Sequence, residues 1–383
     1  MIPYGRQDIS QADIDAVVET LRSDWLTQGP AVPRFEEKLG AAVGATHVVA
    51  MSSATAALHV ACLALGLGPG DRLWTVPNTF VASANCGLYC GATVDFVDID
   101  AVTRNIDVGL LAAKLEVAKA AGTLPKVVVP VDFAGTSVDM EEIRRLADLY
   151  GFAILEDASH AVGGSFRGRP VGSGLADVTV FSFHPVKIVT TAEGGAAVTA
   201  SAALAERMRE LRSHGITRDP ARMRGVPEGP WVYEQVDLGY NYRMTDLQAA
   251  LGVSQLDRLG EFVAKRQAIA ARYHDLLADL PVIRQYVPQD TVSALHLYVI
   301  ELDEPVKRSR GAVFEAMRAA GIGVNVHYIP VHTQPWYRDL GFRQGDFPVA
   351  ERYYSRALTL PMYPGLTETL QDEVVAALAR ALG

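Results

Sequence analysis

Short apolar runs alternate with helical segments from about residue 47 to residue 183. The first run, His47–Met51, is followed by an alanine-rich segment that starts at Ser52-Ser53-Ala54-Thr55 and ends near Leu67, before Gly68-Pro69-Gly70. The further strand candidates are equally short and apolar, and they are residues 72–76, 93–97, 127–131, 153–156 and 178–183. Helical segments such as Met140–Tyr150 lie between several of them. This pattern predicts an α/β fold with a mainly parallel, buried sheet that binds ligands at the carboxyl ends of its strands.

The two ends of the chain have a more helical pattern. Ser10 is the predicted N-cap of a helix that runs to about Arg22, and a second helix is expected near residues 33–43. After residue 245 the expected elements are a long helix, a strand, a helix, a strand and a last helix, at residues 247–280, 295–300, 309–320, 324–328 and 370–382. Residues 217–242 lack a clear period and predict an exposed loop. We therefore expect a large domain over residues 1–245 and a smaller C-terminal α/β domain over residues 246–383.

Composition narrows the possible partners and compartments. The 383 residues carry a formal net charge of −9 and no basic block, which disfavours nucleic acid and anionic membranes as partners. No apolar run approaches about 18 residues, and no signal peptide is recognisable at the start, so we expect neither a membrane span nor secretion. Cys62, Cys86 and Cys90 form no CxxC pair, and His327 and His332 lack further ligand-spaced neighbours. We therefore expect no disulfide framework and no metal site, in a reducing cytoplasm.

Lys187 stands out among the seven lysines of the chain. It follows the apolar strand candidate at residues 178–183, and Glu193-Gly194-Gly195 comes shortly after it, whereas the other lysines fall in exposed helices or loops. Burial lowers the pKa of an amine and makes it available as a Schiff-base nucleophile near neutral pH. A lysine that extends from a strand end into solvent would fit the same position.

Asp157 ends another apolar strand candidate, at the predicted ligand edge of the sheet. A buried carboxylate needs a cationic partner, which a protonated pyridine nitrogen would supply, although capping of the next helix or pairing with an arginine remains an alternative. The small residues at 52–55 start a helix, where free N–H groups favour an anion, although plain capping is common. An amine, a carboxylate and an anion cradle match the aldehyde, ring nitrogen and phosphate of pyridoxal 5′-phosphate.

Four blocks of the chain resemble the DegT/DnrJ/StrS family of sugar aminotransferases. They are residues 156–163 (EDASHAVG), 181–187 (FSFHPVK), 192–195 (AEGG) and 239–246 (GYNYRMTD). Within the family, further blocks resemble the transaminases of pseudaminic acid biosynthesis that form UDP-4-amino-4,6-dideoxy-N-acetyl-β-L-altrosamine. These blocks are residues 26–29 (LTQG), 53–55 (SAT), 213–215 (SHG), 326–330 (VHYIP) and 345–348 (GDFP). The 4-amino-4-deoxy-L-arabinose transaminases share the histidine at position 160 and are the nearest competitor.

The resemblance implies a pyridoxal-phosphate-dependent transferase of fold type I, a cytoplasmic homodimer whose two active sites lie at the subunit interface. It implies that Lys187 forms the covalent link to the cofactor, that Asp157 pairs with the pyridinium nitrogen, and that His160 lies near the ring and its phenolic oxygen. Phe80 would stack on the ring and exclude water, although it could instead be an ordinary core residue. The phosphate would be held by Ala54, Thr55 and Ser182, together with Asn241 of the partner subunit.

The resemblance also implies a sugar-nucleotide site and a reaction. The site would be lined by Tyr4, Asp24, Trp25, Leu26, Thr27, Asn325, Val326, His327 and Tyr328. L-Glutamate would donate its amino group and leave as 2-oxoglutarate, and C4 of a UDP-linked 4-keto-6-deoxy-N-acetylhexosamine would accept it. A 4-keto-arabinose nucleotide, a PLP-dependent dehydratase or racemase acting on amino acids, and a non-catalytic regulator on this fold remain alternatives.

Overall fold

The computed structural model describes residues 1–304 and 306–383, and its elements are numbered in chain order. The helices of the described residues are α1 (Gln11–Arg22), α2 (Ala31–Val43), α3 (Ala54–Ala64), α4 (Ala82–Tyr89), α5 (Val108–Ala121), α6 (Met140–Tyr150), α7 (Ala202–Arg212), α8 (Asp246–Leu256), α9 (Leu259–Leu276), α10 (Arg310–Ala319), α11 (Pro335–Asp339), α12 (Pro348–Arg356) and α13 (Glu368–Leu382). The strands are β1 (His47–Met51), β2 (Arg72–Thr75), β3 (Thr93–Phe96), β4 (Val127–Val128), β5 (Ala153–Asp157), β6 (Ser165–Phe166), β7 (Arg169–Pro170), β8 (Val178–Ser182), β9 (Gly195–Thr199), β10 (Ile216–Thr217), β11 (Glu234–Gln235), β12 (Val282–Ile283), β13 (Thr291–Val292), β14 (Tyr298–Leu302) and β15 (Ala357–Leu360).

The central sheet has the strand order β1-β9-β8-β5-β4-β2-β3. The strands from β8 to β3 pair in parallel, whereas β9 runs antiparallel to both of its neighbours, β1 and β8. Every residue of β8 and β9 is buried, as expected for a sheet covered on both faces. The predicted mainly parallel α/β sheet is therefore confirmed. The carboxyl ends of β1, β5 and β8 share one edge of it.

The start of the chain is fixed by a buried carboxylate. The Ser10 hydroxyl accepts the Asp13 N–H, and the Asp13 carboxylate accepts the Ser10 N–H at 2.7 Å, so the predicted N-cap of α1 is a full capping box. Asp13 is completely buried and also pairs with Arg258 at 2.7 Å. Because Arg258 lies between α8 and α9, this pair ties the first helix to the second half of the chain.

A second, antiparallel sheet lies in the C-terminal part of the chain, with the order β12-β14-β15. Its apolar residues form a hydrophobic cluster with α10, α13 and the N-terminal residue Ile2, whose N–H donates to Gly321. Helix α8, however, packs against α1 and α2. The division into domains at residue 245 stays a prediction.

Two helix predictions are corrected by the structure. Helix α3 ends at Ala64 instead of near Leu67, because Gly66 takes a left-handed conformation with φ +77°. The single long helix expected at residues 247–280 is two helices, α8 and α9. The break falls at residues 257–258, where the Arg258 guanidinium turns away to bind Asp8 and Asp13.

Two strand predictions in the second half are also corrected. The strand expected at residues 295–300 begins only at Tyr298, because Leu295 has φ +51° and cannot extend a strand. The strand expected at residues 324–328 does not form, and only Asn325 pairs with the β15 residue Thr359. The residues after Asn325 turn into a cavity instead.

The remaining differences concern weak sequence signals. Strand β9 carries the sequence GAAVT, whose first three residues have little β-propensity, and β1 and β8 pair with it on both sides. Residues 217–242 are largely an exposed loop, as predicted, and β10 at its start pairs with β11 within it. Cys62, Cys86 and Cys90 are buried and free of disulfides. Among the described helices, none combines the length and apolar character needed to cross a bilayer.

Candidate active site

A cavity of about 520 Å³ opens at the sheet edge where β1, β5 and β8 end. Twelve of the residues that the sequence proposed for the site line it: Tyr4, Ala54, Thr55, Phe80, Asp157, His160, Ser182, Lys187, Asn325, Val326, His327 and Tyr328. They come from strand ends, helix starts and loops far apart in the chain. The fold therefore brings the proposed amine, carboxylate and anion cradle to one place.

Lys187 lies in the loop between β8 and β9, and its side chain reaches the cavity. Its backbone N–H donates to the carbonyl of His184, which fixes the turn that carries it. Burial lowers the pKa of the Lys187 amine to about 8, and the nearby Asp157 carboxylate opposes part of that shift. A substantial fraction of the amine is therefore neutral and nucleophilic near physiological pH.

We expect the pH dependence of cofactor capture to report this shift. In the cofactor-free protein, the rate at which pyridoxal phosphate forms its covalent visible band should rise with pH and be half-maximal near pH 8, because only the neutral amine attacks an aldehyde. The measurement is stopped-flow absorbance from pH 6 to 10. A rate that is still climbing near pH 10 would show an amine with the ordinary pKa of a solvated lysine.

Asp157 is the last residue of β5, and its side chain is 5% exposed. The backbone N–H of Ser159 donates to Oδ1 at 3.1 Å, and the hydroxyl of Ser83 on α4 donates to Oδ2 at 2.6 Å. Neither bond supplies a counter-charge. The helix-capping and arginine alternatives do not apply to these contacts, and a buried carboxylate in a cavity needs a cationic partner.

The anion cradle is the start of α3. The Ser53 hydroxyl caps the helix by accepting the Ala56 N–H at 3.1 Å, while the N–H groups of Ala54 and Thr55 have no intrahelical partner, as at any helix start. Gly195 passes so close that a Cβ there would lie 2.3 Å from the Ala54 nitrogen. A glycine at the start of β9 is therefore needed for the backbone to approach the cradle.

His160 is a neutral, oriented hydrogen-bond donor. Burial, with the nearby Lys187 and His327, holds the pKa of its imidazole well below the ordinary value. Nδ1 accepts the backbone N–H of Ala134 at 3.3 Å, so the single proton of the neutral ring is on Nε2, which lies 3.1 Å from the Tyr328 hydroxyl. The His160 ring thus donates to Tyr328 and leaves the tyrosine proton free for another acceptor.

Part of the cavity wall is formed by neutral aromatic side chains. Burial, with Lys187 nearby, lowers the pKa of His327 to about 3, and its Nδ1 lies 2.8 Å from the Thr359 hydroxyl. The Tyr4 ring lies 5.8 Å from the His327 ring, centroid to centroid. Phe80 is 60% exposed and lines the cavity, so it is not the ordinary core residue that its type alone would allow.

Five of the proposed residues lie outside this cavity in the single chain. Asp24, Trp25, Leu26 and Thr27 are exposed beside the start of α8, where the Leu26 carbonyl accepts the Asp246 N–H. Asn241 is exposed and pairs through its backbone with Ser213. Their roles stay predictions, and Asn241 was expected to act in the partner subunit.

Sequence reasoning missed several polar residues at the site. Thr79 and Ser159 line the cavity, and Ser83 binds Asp157 from behind it. Glu193, whose role the sequence left undecided, also lines the cavity. His296 also lines it and lies 4.5 Å from His160 between ring centroids. Its position inside an apolar run predicted a strand, whereas the positive φ of Leu295 turns it toward the cavity. Hydrophobic periodicity did not indicate that His296 would face the cavity.

His332, the second of the two histidines considered as metal ligands, contacts a carboxylate of the protein instead. His332 is fully buried and lies 2.9 Å from the Glu351 carboxylate. Within residues 1–304 and 306–383, no group of three or more His, Cys, Asp or Glu side chains is arranged to hold a metal ion.

Comparisons with known proteins identify relatives along the whole chain. The chain is 42% identical over 381 residues to the spore coat polysaccharide biosynthesis protein SpsC of Bacillus subtilis, covering 98% of this chain and 96% of SpsC. Helicobacter pylori PseC, an aminotransferase involved in the biosynthesis of pseudoaminic acid, superposes with a TM-score of 0.91 at 31% identity, covering 100% of this chain and 99% of PseC. The PLP form of Streptococcus pneumoniae Spr1654 superposes with a TM-score of 0.88 at 30% identity, covering 100% of this chain and 98% of Spr1654.

A sequence model of one family matches almost the whole chain, from residue 7 to residue 379. The match confirms the family resemblance and fold type I, and it makes pyridoxal 5′-phosphate the cofactor. The cavity fits that group, because it combines an uncompensated carboxylate, an amine of lowered pKa and an open helix start. The chain therefore belongs to the DegT/DnrJ/EryC1/StrS aminotransferase family of pyridoxal-phosphate-dependent sugar aminotransferases.

Proposed function

We propose that the protein transfers the amino group of L-glutamate to C4 of UDP-2-acetamido-2,6-dideoxy-β-L-arabino-hex-4-ulose, a step of pseudaminic acid biosynthesis. Support for this sugar comes from full-length similarity to Helicobacter pylori PseC and from the blocks at residues 26–29 and 326–330. Similarity to a spore coat polysaccharide biosynthesis protein also favours an activated sugar of a surface polysaccharide. Membership of an aminotransferase family disfavours the dehydratase, racemase and regulator alternatives.

The observation that carries the catalytic assignment is the meeting of Lys187 and Asp157 in one cavity. Pyridoxal phosphate, when bound, supplies an aldehyde for the amino group and a protonated ring that accepts electron density. We assign the Lys187 amine the role of binding that aldehyde and, once released, of moving a proton between the glutamate α-carbon and C4′ of the cofactor. Its pKa of about 8 suits both accepting and donating a proton near neutrality.

The other cavity residues bind and orient. We assign Asp157 to the ring nitrogen, where its negative charge favours the protonated form. We place the neutral His160, whose Nε2 proton is donated to Tyr328, near the ring and its phenolic oxygen, and the exposed face of Phe80 covers the ring and excludes water. The phosphate is assigned to the cradle residues Ala54, Thr55 and Ser182, with Asn241 of the partner subunit.

We assign the sugar nucleotide to the wall of neutral aromatic side chains. Tyr4, His327 and Tyr328 offer hydroxyl and imidazole groups there, together with Asn325 and Val326, and hydrogen bonds from uncharged groups suit a sugar ring. Residues 24–27 are proposed for the nucleotide end of the site. A homodimer is expected because Asn241 and residues 24–27 remain outside the single-chain cavity and are exposed, and we place the enzyme in the cytoplasm.

The substrate assignment predicts a clear preference in a direct assay. Purified enzyme with glutamate should aminate the L-arabino 4-keto UDP-N-acetylhexosamine in preference to its D-xylo isomer and to UDP-4-keto-arabinose. The assay couples 2-oxoglutarate release to a dehydrogenase, and NMR identifies the stereochemistry of the new amine at C4. Preferential turnover of UDP-4-keto-arabinose would favour the competitor that shares the histidine at position 160, and inhibition by UDP alone would separate a nucleotide-sugar enzyme from one acting on free amino acids.

A further inference from the structure

Two hydroxyl groups form a hydrogen-bonded chain that ends on the carboxylate of Asp157. Ser83 on α4 lies 2.6 Å from Asp157 Oδ2, and the Thr79 hydroxyl lies 2.7 Å from the Ser83 hydroxyl. All three side chains are buried, and Ser83 is completely so. Ser83 thus extends the site behind the cavity wall, and Thr79, which lines the cavity, lies next to it.

The direction of these bonds follows from the number of protons. An ionised carboxylate only accepts, so the single Ser83 proton is donated to Asp157 Oδ2. The Ser83 oxygen then accepts, which makes Thr79 the donor to it. The carbonyl of Phe80 competes for the same Ser83 proton at 3.3 Å, a longer and weaker contact than the charge-assisted bond.

Two further carboxyl groups, Asp132 and Glu156, are buried near Asp157. Burial and the charge of Glu156 hold the pKa of Asp132 well above its ordinary value, and burial raises the pKa of Glu156 to about 7. Asp132 Oδ2 has no hydrogen-bond partner among the described residues, whereas both Asp157 oxygens have a donor. Two hydrogen-bond donors stabilise the charged form of a carboxyl group, and Asp157 has both. The other titratable groups around it are Lys187 and Tyr328.

We propose that Ser83, oriented by Thr79, is a positioning residue that keeps Asp157 ionised and fixed for the protonated ring nitrogen of the cofactor. A hydrogen bond to the charged form of an acid lowers its proton affinity. Without the Ser83 donor, the carboxylate competes more strongly for the proton it shares with the ring nitrogen, and the ring becomes a weaker electron sink. The inference rests on the proposed pairing of Asp157 with that nitrogen.

The test uses a cofactor analogue that cannot make the pair. Pyridoxal phosphate and its 1-deaza analogue, in which a CH group replaces the ring nitrogen, keep the same aldehyde and phosphate. Their dissociation constants are measured by equilibrium dialysis with the full chain freed of cofactor, as wild type and as Ser83→Ala. We expect Ser83→Ala to weaken pyridoxal phosphate binding about 10-fold, as for a lost bond to a charged group, and to change binding of the deaza analogue less than about 2-fold.

A matched control comes from the same helix. Cys86 lies on α4 one turn beyond Ser83, is fully buried and donates to the Ser83 carbonyl, but it does not contact Asp157. Cys86→Ala should therefore leave the ratio of the two dissociation constants unchanged. Thr79→Val should shift that ratio in the same direction as Ser83→Ala but by a smaller factor. If circular dichroism shows that Ser83→Ala does not fold, Thr79→Val replaces it as the test variant.

Two outcomes overturn the inference in distinguishable ways. If Ser83→Ala weakens both ligands equally, Ser83 only supports the packing of α4 and has no role through Asp157. If the wild-type protein itself binds the two ligands equally, Asp157 does not face the ring nitrogen, and the proposed pairing fails together with the inference. If Ser83→Ala weakens the binding of pyridoxal phosphate but not of the deaza analogue, the result supports both the pairing of Asp157 with the ring nitrogen and the role of Ser83.

Discussion

Replacing Lys187 with alanine is expected to abolish transamination while leaving the fold intact. The side chain would supply both the amine that binds the cofactor aldehyde and the proton carrier for the transfer, and among the described residues no other lysine lines the cavity. Loss of a nucleophile that is also the general base predicts a fall in turnover of at least about 10⁴-fold. The measurement is single-turnover 2-oxoglutarate formation from glutamate, with equilibrium dialysis to show that the variant still binds some pyridoxal phosphate through the phosphate cradle and Asp157.

A surface lysine provides the matched control for this variant. Lys38 on α2 pairs with Asp257 at 2.5 Å, outside the cavity, so Lys38→Ala should retain full turnover. Borohydride treatment of the loaded wild-type and Lys38→Ala proteins should fix the cofactor to a peptide containing residue 187, and it should label nothing in Lys187→Ala. Normal turnover by Lys187→Ala would remove the assigned role of this residue.

The parts of the site that the sequence predicted share one property. Lys187, Asp157 and Ser53-Ala54-Thr55 each follow a short apolar run, and strand ends in an α/β sheet meet at one edge. Topology alone therefore places them together, without knowledge of any side-chain rotamer. The family resemblance then supplied His160, Phe80 and the 325–328 segment, which do line the cavity.

The residues that the sequence missed reach the site through packing. Ser83 belongs to an apolar-looking helix, and its bond to Asp157 spans 74 residues of chain that carry no spacing rule. His296 sits in an apolar run that favours a strand, and it faces the cavity because Leu295 adopts a positive φ next to Gly135, where a Cβ would lie 2.7 Å from the Leu295 nitrogen. Close backbone approaches of this kind are invisible to hydrophobic periodicity.

The fold errors have the same origin. Helix α8 ends without a glycine or proline, so periodicity extends it, whereas the ion pairs of Arg258 with Asp8 and Asp13 divide it from α9. Strand β9 begins with Gly195-Ala196-Ala197, which have little strand preference, and its pairing with β1 and β8 holds these residues in the sheet. Local patterns therefore identified the elements that bury an apolar face, and tertiary contacts decided where they stop.

Asp157→Asn is expected to be the second most damaging change. The amide preserves shape but removes the negative charge that the proposed pairing places against the protonated ring, so the electron sink is weakened. Removing one partner of a buried charge pair costs about 3–5 kcal/mol, which predicts a fall of roughly 10²- to 10⁴-fold in the rate of the glutamate half-reaction. The measurement is stopped-flow absorbance of the loaded protein mixed with glutamate.

The Asp132→Asn variant distinguishes the loss of the Asp157 charge from a general effect of changing a buried carboxyl group near the site. Asp132 is also buried beside these carboxyl groups, but burial and the charge of Glu156 raise its pKa, which favours the neutral form that an amide resembles. Its Oδ1 accepts the Val138 N–H at 3.1 Å, a bond that an asparagine side-chain oxygen can keep. We therefore expect Asp132→Asn to change the half-reaction rate less than about 10-fold, by analogy with the modest cost of neutral hydrogen-bond changes. Near-native kinetics for Asp157→Asn, or equal losses in the two variants, would contradict a specific role of the Asp157 charge.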